Sequence, residues 1–326
     1  MNSNNLFRWA ASELSQDAFI CWLMSFALKE NHGKNPALES CAMDLIHRIP
    51  GLETASEVSY IERQSYNIDV LLTVGDYYVI IEDKTFTGTR EGQISGYKQA
   101  LMNCTNTPPE KIKSVLYTIS IQPDTGEDID YVFTLERLIE LMLPYKLTSK
   151  SDVFAYYVEH LVETEEEILK FGKSPITEWY GETYKAFFEH LKKEGLVPVD
   201  SEYQYVANPS GGFIGLWWDF RGKEIDPDGR CIKQVYMQIA KNSHSENLVS
   251  VRISVPDGEY DVEEVKAARQ KIFDYFSQRI EGLQKSWHWG NSMAVCYVVY
   301  DETNYKEQIT KMQRVFDDML RELRLP

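Results

Sequence analysis

Two short apolar segments joined by Gly75-Asp76 constrain the fold of this chain more than any other feature. Residues 68–74 and 77–83 read IDVLLTV and YYVIIED, and a Gly-Asp pair between two such runs predicts a β-hairpin with a two-residue turn. Both runs are apolar on both faces except where charges enter. This pattern predicts a central sheet whose two faces are covered by helices.

The register of this hairpin predicts a cluster of charged side chains. A two-residue turn pairs Val74 with Tyr77, and the pairing continued outward places Asp69 opposite Glu82. Opposed side chains lie roughly 5 Å apart on one face, and Lys84 shares that face because it is two residues beyond Glu82. Two carboxylates this close favour a bound cation, for which a hard divalent metal with oxygen ligands is expected. The sequence therefore predicts a metal-dependent phosphodiesterase, with a structural Asp69–Lys84 ion pair as the alternative.

The segments around the hairpin predict an α/β domain. A helix between two strands implies a right-handed crossover and a parallel neighbour, so we expect a mixed sheet. The predicted helices cover residues 10–30, 37–48, 91–102 and 134–142. The further predicted strands are an edge strand over 58–63 and a strand over 113–121.

From about residue 147 the pattern changes to that of an α+β domain. Residues 144–151 read PYKLTSKS and provide the best boundary, which divides the chain into domains 1–146 and 147–326, the latter with a helical connector. In 247–255 valine and isoleucine alternate with serine and arginine, which is typical of a strand with one face in solvent. The other expected elements are strands over 213–220, 232–240 and 294–300 and helices over 260–281 and 303–323.

Composition and charge limit the partners of the chain. Its 326 residues are 43% hydrophobic, and neither a run of about 18 apolar residues nor a basic leader indicates a membrane span or a secretory signal. Five cysteines without a CxxC pair suggest neither disulfides nor a thiolate zinc site, so a cytoplasmic location is expected. The net charge of -16 argues against tight nonspecific binding of duplex nucleic acid. It favours a local groove, a transient substrate or a partner that delivers the substrate.

The order of these residues resembles the PD-(D/E)xK nuclease superfamily. That core is a helix, a β-hairpin carrying Asp and (Asp/Glu)-x-Lys, then a helix and another strand, and the match covers about residues 10–122. One departure is Ile68, which stands where the motif has proline. A glutamine and a tyrosine four apart resemble the Gln-x-x-x-Tyr helix of the exonuclease-like branch. The matching positions are Glu13, Asp69, Glu82-Asp83-Lys84, Gln93 and Tyr97.

The resemblance implies a restriction-endonuclease-like fold and Mg²⁺- or Mn²⁺-dependent hydrolysis of DNA or RNA, with DNA favoured. It implies that Asp69, Glu82 and the carbonyl of Asp83 hold the metal, with Glu13 in support. The metal would activate water for in-line attack on phosphorus. Lys84 would orient that water or stabilise developing charge.

Other residues have weaker claims to the site. Gln93 and Tyr97 would position a phosphate or the nucleophile, and Arg90 and Lys98 are candidates for backbone contacts. Gln93 and Tyr97 also fit an ordinary amphipathic helix, and Glu13 fits an acid in the first turn of a helix.

Histidine and tryptophan positions give no competing site. The six histidines form no HExxH or similar cluster, and no GxxxxGK[ST] motif indicates nucleotide binding. Trp217, Trp218, Trp287 and Trp289 are interpreted as core residues, with a base-stacking platform for single strands as the alternative.

Three hypotheses for function follow. The first is a nuclease domain joined to an α+β unit that selects substrate or mediates assembly, as a homo-oligomer or with a partner protein. The second is a catalytically silent nucleic-acid- or protein-binding module on the nuclease fold. The third is a toxin-like or phage-defence protein whose C-terminal unit senses a partner. Intact Asp69, Glu82 and Lys84 favour the enzyme, because charges that are costly to bury would otherwise be lost.

Overall fold

The computed structural model of the protein describes residues 4–10, 13–84, 92–121, 129–207, 212–242, 246–258 and 260–324. Its contacts divide the chain into two compact units, Met1–Ile168 and Leu169–Pro326. This boundary lies one helix later than the predicted division after residue 146. The helix Asp152–Ile168 belongs to the first unit because its buried residues, such as Phe154 and Tyr157, join that unit's core.

The first unit is an α/β fold around a five-stranded mixed sheet. The strands lie in the order β1-β2-β3-β4-β5, with β1, β2 and β3 antiparallel and β3, β4 and β5 parallel, so the predicted mixed sheet is confirmed. The strands are β1 (Tyr60–Ser65), β2 (Ile68–Val74), β3 (Tyr77–Lys84), β4 (Ile112–Thr118) and β5 (Tyr131–Phe133). The helices are α1 (Glu13–Met24), α2 (Pro36–His47), α3 (Gln93–Thr105), α4 (Leu135–Met142) and α5 (Asp152–Ile168).

The β2–β3 hairpin has the predicted register. Its pairs run from the turn out to Val70 and Ile81 without a shift, so Asp69 and Glu82 are the next positions outward. Gly75 takes φ +56° in the turn, a left-handed value that glycine adopts without a steric penalty. The turn therefore determines which charged residues meet at the other end of the hairpin.

Alternation along β3 sends its charged residues to different faces of the sheet. Val79 and Ile81 belong to the large core that includes residues of α1, α2, α4 and α5, whereas Ile80 belongs to a smaller core with residues of α3. Continued along the strand, this alternation places Glu82 and Lys84 on the α3 face and Asp83 on the α1 face. Helices cover both faces, as the two-sided apolar pattern predicts.

The second unit contains a six-stranded antiparallel sheet in the order β10-β11-β9-β8-β7-β6, in agreement with the predicted α+β class. One core combines residues of all three helices with the inward residues of the central strands. The strands are β6 (Glu202–Val206), β7 (Phe213–Arg221), β8 (Gln234–Lys241), β9 (Asn247–Ser254), β10 (Gln284–Lys285) and β11 (Ser292–Tyr300). The helices are α6 (Gly181–Lys193), α7 (Val262–Ser277) and α8 (Tyr305–Glu322).

Several elements differ from the sequence expectations, and helix α6 and strand β6 were not predicted. Strand β5 was also not predicted, because its three residues are too few to show a periodic pattern. It is identified by its pairing with β4. The first helix is shorter than the predicted 10–30, since α1 ends at Met24 and two 3₁₀ turns follow. Within the described parts of the chain, no helix has both the length and the apolar character needed to cross a bilayer.

Candidate active site

Four predicted site residues form one cluster on the α3 face of the sheet. Lys84 Nζ lies 2.5 Å from Glu82 Oε1, and Gln93 Nε2 donates a hydrogen bond to the same oxygen over 2.6 Å. Gln93 also donates to Tyr97 Oη over 2.7 Å. Helix α3 begins at Gln93 because Gly92 turns the chain with a left-handed φ of +76°. Strand β3 and helix α3 thus meet at the buried carboxylate of Glu82.

Asp69 joins this cluster from the end of β2. Its Oδ2 accepts a hydrogen bond from the backbone N–H of Asp83 over 2.9 Å. Asp69 is half-buried, whereas Glu82 is fully buried. The site is therefore more accessible to solvent at Asp69 than at Glu82. The predicted convergence of Asp69, Glu82 and Lys84 agrees with this arrangement.

The electrostatic environment raises the pKa of both Glu82 and Lys84. Burial raises the pKa of Glu82 to about 7, against the hydrogen bonds from Lys84 and Gln93, and the negative charge of Asp69 adds to the rise. Burial acts to lower the pKa of Lys84, but Glu82, Glu13 and Asp69 outweigh it and raise that pKa above its ordinary value. Lys84 is therefore an ammonium near neutral pH. In this state it donates hydrogen bonds and supplies positive charge, and it cannot accept a proton.

Helix α1 brings a second polar group to the opposite face of β3. Gln16 Nε2 donates to Asp83 Oδ1 over 2.5 Å, and Asp17 is buried beside them. Burial raises the pKa of Asp17 to about 6, and burial together with the charge of Asp17 raises the pKa of Asp83 well above its usual range. Each of these two acids has one buried oxygen without a donor. A proton held by Asp83 toward Asp17 satisfies both oxygens.

Gln16 and Asp17 were not identified from the sequence, although a signal for them exists. They stand three and four residues after Glu13, so the three polar side chains share one face of α1. Apolar residues occupy the neighbouring positions of this helix, and polar residues interrupting an apolar face indicate a polar partner in the core. Asp83, which the sequence analysis assigned only through its carbonyl, is that partner.

Gln64 is a further site residue that the sequence analysis missed. It lies in β1 with a left-handed φ of +58°, at the position opposite Asp69 in a β1–β2 register that continues without a shift from Arg63 and Val70 to Ser65 and Ile68. Its side-chain Nε2 donates to Asp17 Oδ2 over 3.1 Å and lies 3.5 Å from Asp69 Oδ1. The side chain of Gln64 thus connects the acids on the two faces of the sheet. No sequence motif indicates this role of Gln64, since its position depends on a positive φ that glutamine rarely adopts in a strand.

The donor set fits a hard divalent cation that retains water ligands. Glu82 Oε2 is buried without a hydrogen-bond partner, and a bound cation would satisfy it. Mg²⁺ is commonly held by one or two carboxylates together with several waters. Asp69, Glu82 and the carbonyl of Asp83 match that set. Among the residues that the structure describes, however, no group of three or more acidic, histidine or cysteine side chains surrounds a common point.

The structure gives different surroundings to the residues with weaker claims to the site, Lys98 and Glu13. Lys98 lies 3.4 Å from Asp130, an acid that also accepts hydrogen bonds from Ser114, so this lysine has a structural ion-pair partner. Arg90 and the loop 85–89 lie outside the described residues. Glu13 is half-buried at the start of α1, and its charge contributes to the raised pKa of Lys84.

The four tryptophans have different environments. Trp218 is buried and donates to Gln313 over 2.6 Å, as a core residue would, and Trp217 is half-buried. The interpretation as core residues is wrong for Trp287 and Trp289, which are 81% and 38% exposed.

Comparison with known proteins gives no assignment. No protein-family model matches the chain, and no curated protein and no solved structure is significantly similar to it.

Proposed function

We propose that the first unit is a metal-dependent nuclease domain of the PD-(D/E)xK type, with a restriction-endonuclease-like core. The observation that carries this proposal is the buried Glu82 carboxylate, which accepts from Lys84 and Gln93 through one oxygen and leaves the other without a partner. A structural ion pair would account for Lys84 but not for the unpartnered oxygen or for Gln93.

Asp69, Glu82 and the backbone carbonyl of Asp83 are the residues that would hold Mg²⁺ or Mn²⁺, with Glu13 in support. A bound ion of this kind polarises a phosphate oxygen and lowers the pKa of a coordinated water. Gln16 and Asp17 hold the side chain of Asp83 from the far side, and this fixes the backbone to which the Asp83 carbonyl belongs. Metal ligands require such support from neighbouring residues to keep their orientation.

The remaining residues act on the phosphate and the nucleophile. Lys84 stays protonated, so its ammonium stabilises the negative charge that develops on the phosphoryl oxygens. Burial raises the pKa of Tyr97, which keeps its phenol protonated and able to donate a hydrogen bond. Gln93 orients the Glu82 carboxylate and the Tyr97 hydroxyl at the same time. Nucleic acid is the proposed substrate, with DNA favoured over RNA.

Cleavage of labelled substrates tests the proposal. The protein is incubated with single-stranded DNA, duplex DNA and RNA in Mg²⁺ or Mn²⁺, beside Asp69→Ala and Lys84→Ala. Asp76→Ala is the matched control, because Asp76 is an exposed acid at the turn of the same hairpin. The proposal requires cleavage by the wild type and by Asp76→Ala and its loss in the other two variants.

A catalytically silent binding module is the second candidate, favoured by the absence of a closed three-acid cluster among the described residues. Binding of nucleic acid without cleavage, equal in wild type and in the Asp69 and Lys84 variants, would support that candidate instead.

A further inference from the structure

The second unit exposes two tryptophans in a short segment between β10 and β11. Trp287 is 81% exposed and Trp289 is 38% exposed, whereas Trp179 and Trp218 of the same unit are buried in its core. Neighbouring exposed apolar side chains that form one patch commonly mark a binding surface, and these two tryptophans are separated by a single residue. The segment 284–292 reads QKSWHWGNS and contains no acidic residue, in a chain whose net charge is -16.

Each of these rings has a cation beside it. Lys285 Nζ lies 4.8 Å from the centre of the Trp287 ring, and the Arg269 guanidinium of α7 lies 5.3 Å from that of Trp289. His288 stands between the two tryptophans. We refer to Arg269, Lys285, Trp287, His288 and Trp289 as the tryptophan patch. It combines exposed aromatic rings with local positive charge.

The backbone that carries the tryptophan patch is fixed in place. Arg269 donates to the carbonyl oxygens of Ser286 and Ala294 over 2.9 and 3.0 Å, and Lys285 is hydrogen-bonded to Gln270 on α7. Backbone hydrogen bonding between Ser286 and Val295 extends the β10–β11 pairing to the start of the segment. The tryptophans are thus attached to an ordered hairpin, which reduces the entropy lost when a ligand stacks on them.

We propose that the tryptophan patch binds single-stranded nucleic acid, with bases stacked on Trp287 and Trp289 and the phosphate backbone attracted by Lys285 and Arg269. Proteins that bind single strands without sequence preference combine a positively charged surface with aromatic side chains on which the bases stack. This binding is independent of catalysis by the first unit, because it uses only residues of α7, β10 and the segment that leads to β11.

Two other ligand classes fit the tryptophan patch less well. An acidic peptide would pair its carboxylates with Lys285 and Arg269 but would leave the exposed ring faces of Trp287 and Trp289 without a stacking partner. A membrane surface would require more apolar side chains around the tryptophans, but Ser286, His288 and Asn291 are their polar neighbours. Nucleobases need only ring faces and nearby positive charge.

Fluorescence anisotropy of a labelled thymidine oligomer of about 20 nucleotides tests the proposal in EDTA, where metal-dependent cleavage cannot occur. We expect the full-length protein to bind the oligomer, and Trp287→Ala and Trp289→Ala each to weaken binding at least about fivefold. Trp287→Phe keeps a stacking surface and should retain most of the affinity. Trp9→Ala is the matched control, because Trp9 is 85% exposed elsewhere in the chain and should leave the affinity unchanged.

Salt dependence provides a second measurement. Lys285→Gln should reduce the slope of the logarithm of affinity against the logarithm of salt concentration, because it removes one cation. Because the binding assay contains no metal, its result does not depend on the proposed nuclease activity. Loss of cleavage would therefore not imply loss of binding at the tryptophan patch, and cleavage would not imply that the patch binds.

Three results would overturn the inference. They are no binding of the oligomer by the wild type, equal affinities for wild type, Trp287→Ala and Trp289→Ala, or binding of anionic lipid vesicles or polyglutamate in preference to the oligomer. Circular dichroism spectra and melting curves of the variants establish that each is folded.

Discussion

Gln93 Nε2 donates to Glu82 Oε1 over 2.6 Å and so joins the first residue of α3 to the end of β3. The same nitrogen donates to the hydroxyl of Tyr97 one turn further along the helix. A carboxylate on a buried strand is thereby oriented by a helix that begins at Gln93, nine residues beyond Lys84 at the end of that strand. Glu82 has little freedom to rotate, which is a property required of a preorganised ligand.

Substitution of Gln93 tests the importance of this orientation. We expect Gln93→Ala to lower the rate of metal-dependent cleavage about 10- to 100-fold, as the loss of a residue that supports a metal ligand commonly does. The melting temperature should change little, since Gln93 is only partly buried. Gln99→Ala is the control, because Gln99 lies on the exposed side of the same helix. Equal cleavage rates for the two variants would contradict the role assigned to Gln93.

Metal binding can be measured without a substrate. Mn²⁺ should raise the melting temperature of the wild type, because a ligand that binds only the native state stabilises it by about 2.7 kcal/mol at a concentration of 100 Kd. Asp69→Ala should show a smaller rise, and Asp76→Ala should behave as the wild type does. A rise of the same size in all three proteins would mean that the ion binds elsewhere.

Gln64 allows backbone strain to be separated from side-chain function. Its φ of +58° is as unfavourable for alanine as for glutamine and is readily adopted by glycine, so Gln64→Ala keeps the backbone strain, loses the hydrogen bond to the buried Asp17, and should lower both stability and cleavage. Gln64→Gly should lower cleavage and keep the melting temperature near that of the wild type, because it removes the amide that contacts Asp17 and Asp69 while relieving the backbone. Full cleavage activity in Gln64→Gly would show that the side chain of Gln64 has no role at the site.

Asp226 provides a prediction about the pH dependence of stability. Its Oδ2 accepts hydrogen bonds from the backbone N–H groups of Cys231 and Ile232 over 3.0 and 2.8 Å. Burial alone would raise its pKa, but these hydrogen bonds outweigh burial and lower the pKa below its ordinary value. Because the folded-state pKa is the lower one, the stabilisation is present above the unfolded pKa of about 3.9 and is lost as pH falls through the folded pKa.

Denaturant titrations of wild type and Asp226→Ala at several pH values measure this effect. Near neutral pH the variant should be less stable by about 1–3 kcal/mol, the cost of leaving buried donors without an acceptor. The difference should shrink as pH falls below about 4, where the wild-type carboxylate takes up a proton. A difference that stays constant down to about pH 2 would contradict the assignment.

Local pattern was sufficient to predict the hairpin and its charges. Strand alternation and a two-residue turn act over neighbouring residues, so the pairing that places Asp69 beside Glu82 follows without knowledge of the rest of the chain. Gln93 and Tyr97 were likewise predicted from helical spacing, and the structure brings both to Glu82. The function that this cluster performs remains a prediction.

Contacts between distant segments were not predictable in this way. Gln16 and Asp17 lie far from Asp83 in sequence, and which face of α1 meets β3 depends on how Phe19, Ile20 and their neighbours fill the core. The left-handed backbone of Gln64, which lies opposite Asp69 in the pairing of β1 with β2, corresponds to no local sequence pattern. Trp218 and Trp287 are chemically identical, and only the packing of the second unit decides that one is buried and the other exposed.

The sequence by itself determined the hairpin, its register and the acid and lysine residues that meet at its open end, because these depend on alternation and turn chemistry between near neighbours. Only the tertiary structure decided which residues support that cluster from α1 and β1 and which tryptophans reach the surface. These outcomes depend on the docking of whole helices and strands, and docking is governed by the fit of many side chains at once.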